Sequence, residues 1–194
     1  MSVPDWLQSA LPAAAQHAGL TVCALGDARG FERGGMKLTS PAFDAGEELD
    51  PCFTADEEDA VAPPLEWTAP PPGTQEIVII VEDATDTSAE PNCHWLVWGL
   101  PGQRGKILEG EAPPRTGKNA KGNSEWLLPE LPEGETHTFV FQLFALDLPL
   151  TLMPGASRKK LIAEVEGHVM ASSVLVAQYT SSPEEEGDWD DEED

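Results

Sequence analysis

At 194 residues and 40% hydrophobic content, the chain has room for one domain with a real core, plus an extension and a tail. Its net charge of −24 sets the surface against nucleic acid and acidic membranes, both of which would repel it. No apolar stretch is long enough to span a bilayer, and no basic start precedes the alanine-rich N-terminal segment, so a cytoplasmic location is expected.

In chain order, residues 1–35 read as a partly helical N-terminal extension. A short amphipathic helix is predicted within 4–19, anchored by Trp6, Leu7, Leu11 and Leu20 and limited by Pro4 and Pro12. Residues 21–35 are glycine-rich and connective. A domain over 36–182 follows, with strands predicted at 36–39, 65–68, 76–82, 94–100 and 137–146. Its 18 prolines and 17 glycines, counted over the whole chain, suit a turn-rich sheet fold. The runs at 77–81 and 139–146 are almost continuously apolar, as in central strands covered on both faces. A helix is predicted from Ser157 to Met170, with Leu161, Val165 and Val169 four apart. Its opening Arg158-Lys159-Lys160 opposes the helix dipole, which suggests another role for those cations. A last strand, 173–179, leads to a tail over 183–194. Nine acidic residues fall between Glu184 and Asp194, and by composition that tail is disordered, with Trp189 as a docking element at most.

The candidate chemistry lies at strand ends. Asp83 closes the apolar run at 77–81, His94 opens the run at 94–98, and His137 precedes the run at 139–146. One imidazole there is usually a satisfied core residue; two imidazoles and a carboxylate more often mark a small anion or ligand site. Cys23, Cys52 and Cys93 match no zinc ribbon or redox pair and read as reduced, mostly buried thiols. Cys93 is the exception to watch, because a pocket-facing thiol beside His94 can bind a soft metal or be oxidised. Five basic residues between Gly102 and Gly122 form a loop that can draw an anion, clamp the acidic tail, or simply be solvated. His17, in the extension, and His168, on the predicted helix, are not expected to be ligands. No phosphate-cradling glycine motif, serine elbow or paired-histidine zinc motif is present in the sequence, so no cofactor, metal or catalytic residue is assigned.

Taken together, the motifs resemble a known family. They are Ser40-Pro41-Ala42-Phe43 with Gly46, Phe53-Thr54-Ala55-Asp56, Ala62-Pro63-Pro64-Leu65-Glu66-Trp67, Gly73-Thr74 and Val81-Glu82-Asp83. His94-Trp95, Gly117-Lys118-Asn119, Pro132-Glu133-Gly134 with His137, Phe144-Ala145-Leu146-Asp147 and Gly167-His168-Val169-Met170-Ala171 follow in order. This series is similar to the phosphatidylethanolamine-binding proteins, in their bacterial Raf-kinase-inhibitor-like (YbhB/YbcL-type) branch, over about residues 36–180. The resemblance implies a mainly β fold: a large antiparallel sheet packed with a smaller one, and a helix near the C-terminus. It also implies a shallow anion pocket lined by Asp83, His94 and His137, with Pro132 at the rim. The chain departs from the pattern in several places, Ala177 for a frequent glycine among them. The family's Asp-Pro-Asp-Ala-Pro is Asp83-Ala84-Thr85-Asp86-Thr87 here, which suggests a looser loop with its second acid lost or shifted. Glu130 enters the family's Gly-Pro-x-Pro-Pro segment, and Phe139 replaces a frequent tyrosine.

Two functional classes follow. One is a non-catalytic module that binds a small phosphate-bearing anion and modulates a partner protein. The other is a hydrolase with His94 and His137 as acid and base and Asp83 as orienter. A metal site using Cys93 is a third idea. Some bacterial members form dimers, so a homodimer is among the arrangements implied, and the oligomeric state stays open.

Overall fold

The computed structural model describes residues 2–183, so all but the first residue of the expected acidic tail lies outside the described residues. The five-stranded sheet runs in the order β6 (Arg115–Thr116), β4 (Cys93–Pro101), β3 (Glu76–Asp83), β7 (Thr136–Leu146), β8 (Val169–Thr180), antiparallel throughout. A smaller antiparallel sheet is built from β1 (Leu38–Thr39), β2 (Leu65–Trp67) and β5 (Gly105–Ile107). The mainly β architecture expected from the sequence is therefore the one found.

Every residue of β3 is buried, because both faces of the large sheet are covered. Ile77, Ile79 and Val81 pack with Phe139, Phe141 and the small sheet's Leu38, Leu65 and Trp67. Val78 and Ile80 face the other way, with Leu96, Trp98, Val140 and Phe144. On that side the cover is the N-terminal segment (Val3, Leu7, Leu11, Leu20, Val22) and Leu161 and Val165 of α3 (Arg158–Val165). Each such aliphatic side chain contributes roughly 1.5–3 kcal/mol by leaving water.

The helices differ from the sequence expectation. Within 4–19 only α1 (Asp5–Gln8) and a single 3-10 turn at 13–15 form, and α2 (Thr21–Leu25) lies in the stretch read as connective. α3 begins as predicted, Ser157 accepting from the Lys160 N–H at 3.2 Å, but ends at Val165. Gly167 takes φ 81°, a conformation that strains side-chain-bearing residues, and turns the chain into β8. Val169 and Met170 are thus strand residues, and the four-residue spacing of Leu161, Val165 and Val169 straddles two elements. The basic loop contributes β5 and β6.

Behind the sheet a buried polar network ties the N-terminal segment and the start of α3 to β3 and β7. Glu82, fully buried, accepts from the Thr21 N–H (2.8 Å), the Gln142 side-chain amide (2.6 Å) and Arg158 Nε (2.7 Å). Arg158 also donates to the Gly19 carbonyl (3.2 Å) and the Thr21 hydroxyl (3.1 Å). This is the role of the cation at the start of α3. A buried carboxylate holds its charge only with such partners.

Candidate functional site

Because the strands are antiparallel, the C-terminus of β3 and the N-termini of β4 and β7 meet at one end of the sheet. Asp83 pairs in register with Phe139, two residues beyond His137. Odd-numbered β3 and β7 residues share the face that packs on the small sheet, which carries Asp83 and His137 onto that side. Strict alternation in β4 would send His94 to the opposite face with Leu96 and Trp98. A bulge prevents this: Val81 pairs with Trp95, yet Glu82 pairs with Cys93, leaving His94 as the extra residue. Bulges re-aim side chains in this way. His94 thus joins Asp83 and His137 around a cavity of about 380 Å³, with its ring edge-on to Phe139 at 4.9 Å.

Within the cavity the two imidazoles are held differently. His137 Nδ1 lies 2.5 Å from Asp83 Oδ2, and the other carboxylate oxygen accepts from the Thr85 N–H at 2.9 Å. Asp83 Oδ2, an acceptor, therefore fixes a proton on His137 Nδ1 and orients the ring, with Nε2 the nitrogen it does not bind. His94 Nδ1 lies 2.7 Å from the Leu127 carbonyl, an acceptor only, so this nitrogen carries the proton. Burial pushes the His94 pKa down, countered in part by the Leu127 carbonyl and the Asp83 charge. Its Nε2 is the nitrogen left for a ligand.

Lys121 and Glu130 also line the cavity, 4.0 Å apart and both exposed. Lys121 belongs to a loop fixed from two sides. The Ala120 and Leu127 N–H groups donate to the carbonyls of Cys93 and His94 at 2.8 Å each. Asn119, buried, bonds Asn123 and Glu125 and accepts from the Lys121 N–H. Pro132, expected at the rim, is not among the lining residues. It is exposed, its carbonyl accepts from the Ser181 hydroxyl at 2.5 Å, and the neighbouring Leu131 takes the wall position. Asn92 and the Leu127 carbonyl take part without having been anticipated; a backbone carbonyl carries no sequence signal at all.

The loop after Asp83 is pinned by hydrogen bonds instead of prolines. Thr85 Oγ1 accepts from the Thr138 N–H at 2.8 Å. Asp86 accepts from the Ser88 N–H and hydroxyl and the Asn92 N–H, which hold its carboxyl below the usual range. The second acid is therefore spent on the loop. His17 reaches the same loop, Nε2 lying 2.8 Å from the Ser88 carbonyl. His168, expected on a helix, sits in the turn before β8 and bonds Asp147 at 2.9 Å. Cys93 packs in the core on the opposite face, where burial pushes its thiol up to about 12, so it does not face the cavity.

Glu135 Oε2 lies 3.5 Å from His137 Nε2, so on a reading of the cavity as an anion site it would stand in the anion's way. Glu135→Gln is expected to tighten inorganic phosphate binding by roughly two- to fivefold, the scale of an exposed ion pair. Isothermal titration would read it, and unchanged or weaker binding would remove Glu135 from the site.

The model of the family described as phosphatidylethanolamine-binding protein matches residues 39–180. The chain belongs to that family. The UPF0098 protein of Aquifex aeolicus is 32% identical over 159 residues, 77% of this chain and 92% of the relative. A UPF0098 protein of Pyrococcus horikoshii is 30% identical over 188 residues, 92% of this chain and 93% of its own. Among solved structures, a phosphatidylethanolamine-binding-protein homologue from Chlamydia trachomatis superposes with a TM-score of 0.70. It is 26% identical over 76% of this chain and 98% of its own. Escherichia coli YbcL, 18% identical, shares the fold with a TM-score of 0.68 over 76% of this chain and 99% of its own. Asp83, His94 and His137 fall inside the family match. His17 and Thr21, which brace the back of the site, precede it.

Proposed function

We propose that this family member is a cytoplasmic, non-catalytic module that binds a small phosphate-bearing anion on His94, His137 and Lys121, with Asp83 orienting His137, and that the bound state is read by a partner protein. The observation that carries the reading is the convergence of two imidazoles, one carboxylate-backed, and one ammonium on a cavity of about 380 Å³, a size suited to a small ligand. Imidazolium and ammonium groups give charge-assisted hydrogen bonds to phosphate oxygens. Against the hydrolase alternative, no serine, threonine or cysteine lines the cavity among the described residues. The Asp83–His137 pair keeps acid–base chemistry as the second reading. A histidine-resolved NMR titration tests both. Saturable, concerted shifts of His94 and His137 with phosphate or phosphoethanolamine, without turnover of a phosphomonoester, support the module. Unmoved histidines would sink it, and turnover would favour the hydrolase.

Proton linkage gives a second check. Free His94 is depressed by burial, so near neutrality it presents a lone pair at Nε2. A bound anion favours its protonation, raising its pKa in the complex and drawing in a proton. Affinity is then full below the depressed free-state pKa and falls as pH rises from there to the complex's pKa, by up to about tenfold per unit. Sulfate, with its constant charge across this range, is the cleaner probe. Pairing calorimetry in buffers of different ionisation enthalpy should show uptake of a proton; pH-independent affinity with no uptake would contradict a His94 contact.

A further inference from the structure

A second cavity adjoins the first. It measures about 500 Å³ and is walled by Trp95, Trp126, Leu128, Val61, Ala112 and Pro113. Leu128 lines both cavities, and the Trp126 ring lies 6.3 Å from that of His94. The wall is rigid: Trp126 Nε1 donates to the Phe53 carbonyl at 3.1 Å, and its ring stacks on Phe141 at 5.9 Å and meets Trp95 edge-on at 5.6 Å. Val61, one of few large apolar side chains exposed among the described residues, stands at this cavity. Fixed aromatic walls beside a solvent-open apolar hollow favour an apolar guest, because binding removes that surface from water with little ordering of the protein.

Resting on the anion-site reading above, we propose that this cavity is a specificity subsite for the organic group of the ligand, which is the phosphomonoester of a compact apolar alcohol, best an aromatic one. The phosphate sits among His94, His137 and Lys121, and the ring lies past Leu128 against Trp126 and Trp95. Two carboxylates at the subsite, Glu111 and Glu125, narrow the class further. They repel a second anionic group, so the ligand carries its negative charge at one end only. Edge-to-face and stacked contacts with the tryptophans then add to simple burial.

The test is calorimetric titration of the full chain with inorganic phosphate, phenyl phosphate and phosphoethanolamine. Phenyl phosphate is expected to bind about tenfold tighter than phosphate, one good aromatic contact's worth. Ala112→Trp, an exposed position on the cavity wall, is expected to fill the subsite. It should erase the phenyl phosphate advantage while leaving phosphate affinity as in the native chain, which also shows that the variant is folded. Trp126→Leu should reduce the advantage in the same sense. Phosphate binding with no gain for phenyl phosphate would overturn the subsite and leave the anion site standing. Phosphoethanolamine binding tighter than phenyl phosphate would overturn the apolar assignment in favour of a cation held by Glu111, Glu125 and the tryptophan faces. Failure of all three probes to bind would overturn both readings together.

Discussion

Arg158→Met is expected to lower folding stability by about 3–5 kcal/mol, the cost of stripping one partner from a buried ion pair. Glu82 would be left fully buried, still accepting from Thr21 and Gln142 but with no cation beside it. In a chain of this size that corresponds to a melting point lower by on the order of 10 °C, if unfolding is two-state. The loss should spread beyond α3. Arg158 also binds the Gly19 carbonyl and the Thr21 hydroxyl, so the N-terminal segment loses its fastening to β3. Hydrogen exchange should therefore rise at residues 19–22 as well as at the start of the helix. Glu82→Leu, which also removes the acceptor used by Thr21 and Gln142, is expected to be at least as damaging. A native melting point in Arg158→Met would mean the pair contributes nothing net, and that Leu161 and Val165 alone hold α3 in place.

His137→Ala is expected to weaken phosphate binding by about 10- to 100-fold, the worth of one charge-assisted hydrogen bond. Asp83→Asn keeps the shape but removes the carboxylate that orients the His137 ring at 2.5 Å, and a loss of about tenfold is expected. The double variant should lose little more than His137→Ala, since Asp83 acts through His137; that non-additivity is the signature of an orienting partner. Asp83 also accepts from Thr85, so near-UV circular dichroism must first show native packing in each variant. Equal and additive losses would instead make Asp83 a direct ligand contact. Native affinity in His137→Ala would displace the site from this cavity altogether.

The parts legible in the sequence are those governed by local pattern. The unbroken apolar runs at 77–81 and 139–146 mark β3 and β7, and both sit in the sheet interior covered on two faces. Strand-end placement singled out Asp83, His94 and His137, and the cavity gathers all three. The misreadings share a cause. Leu161, Val165 and Val169 keep a helical spacing, but Gly167 at positive φ breaks the helix between the last two. Asp86 looked like a displaced site acid, and three local hydrogen bonds turn it into the loop instead.

By itself the sequence determined which segments are apolar enough to be buried and which chemical groups stand at their ends, because burial and residue type are written position by position. Only the tertiary structure decided which way those groups face. An extra residue opposite Glu82 turns His94 into the cavity and leaves Cys93 in the far core. A carboxylate 76 residues away gives Arg158 its task. Such outcomes depend on strand register and on contacts between distant parts of the chain, and neither leaves a periodic trace in the order of the residues.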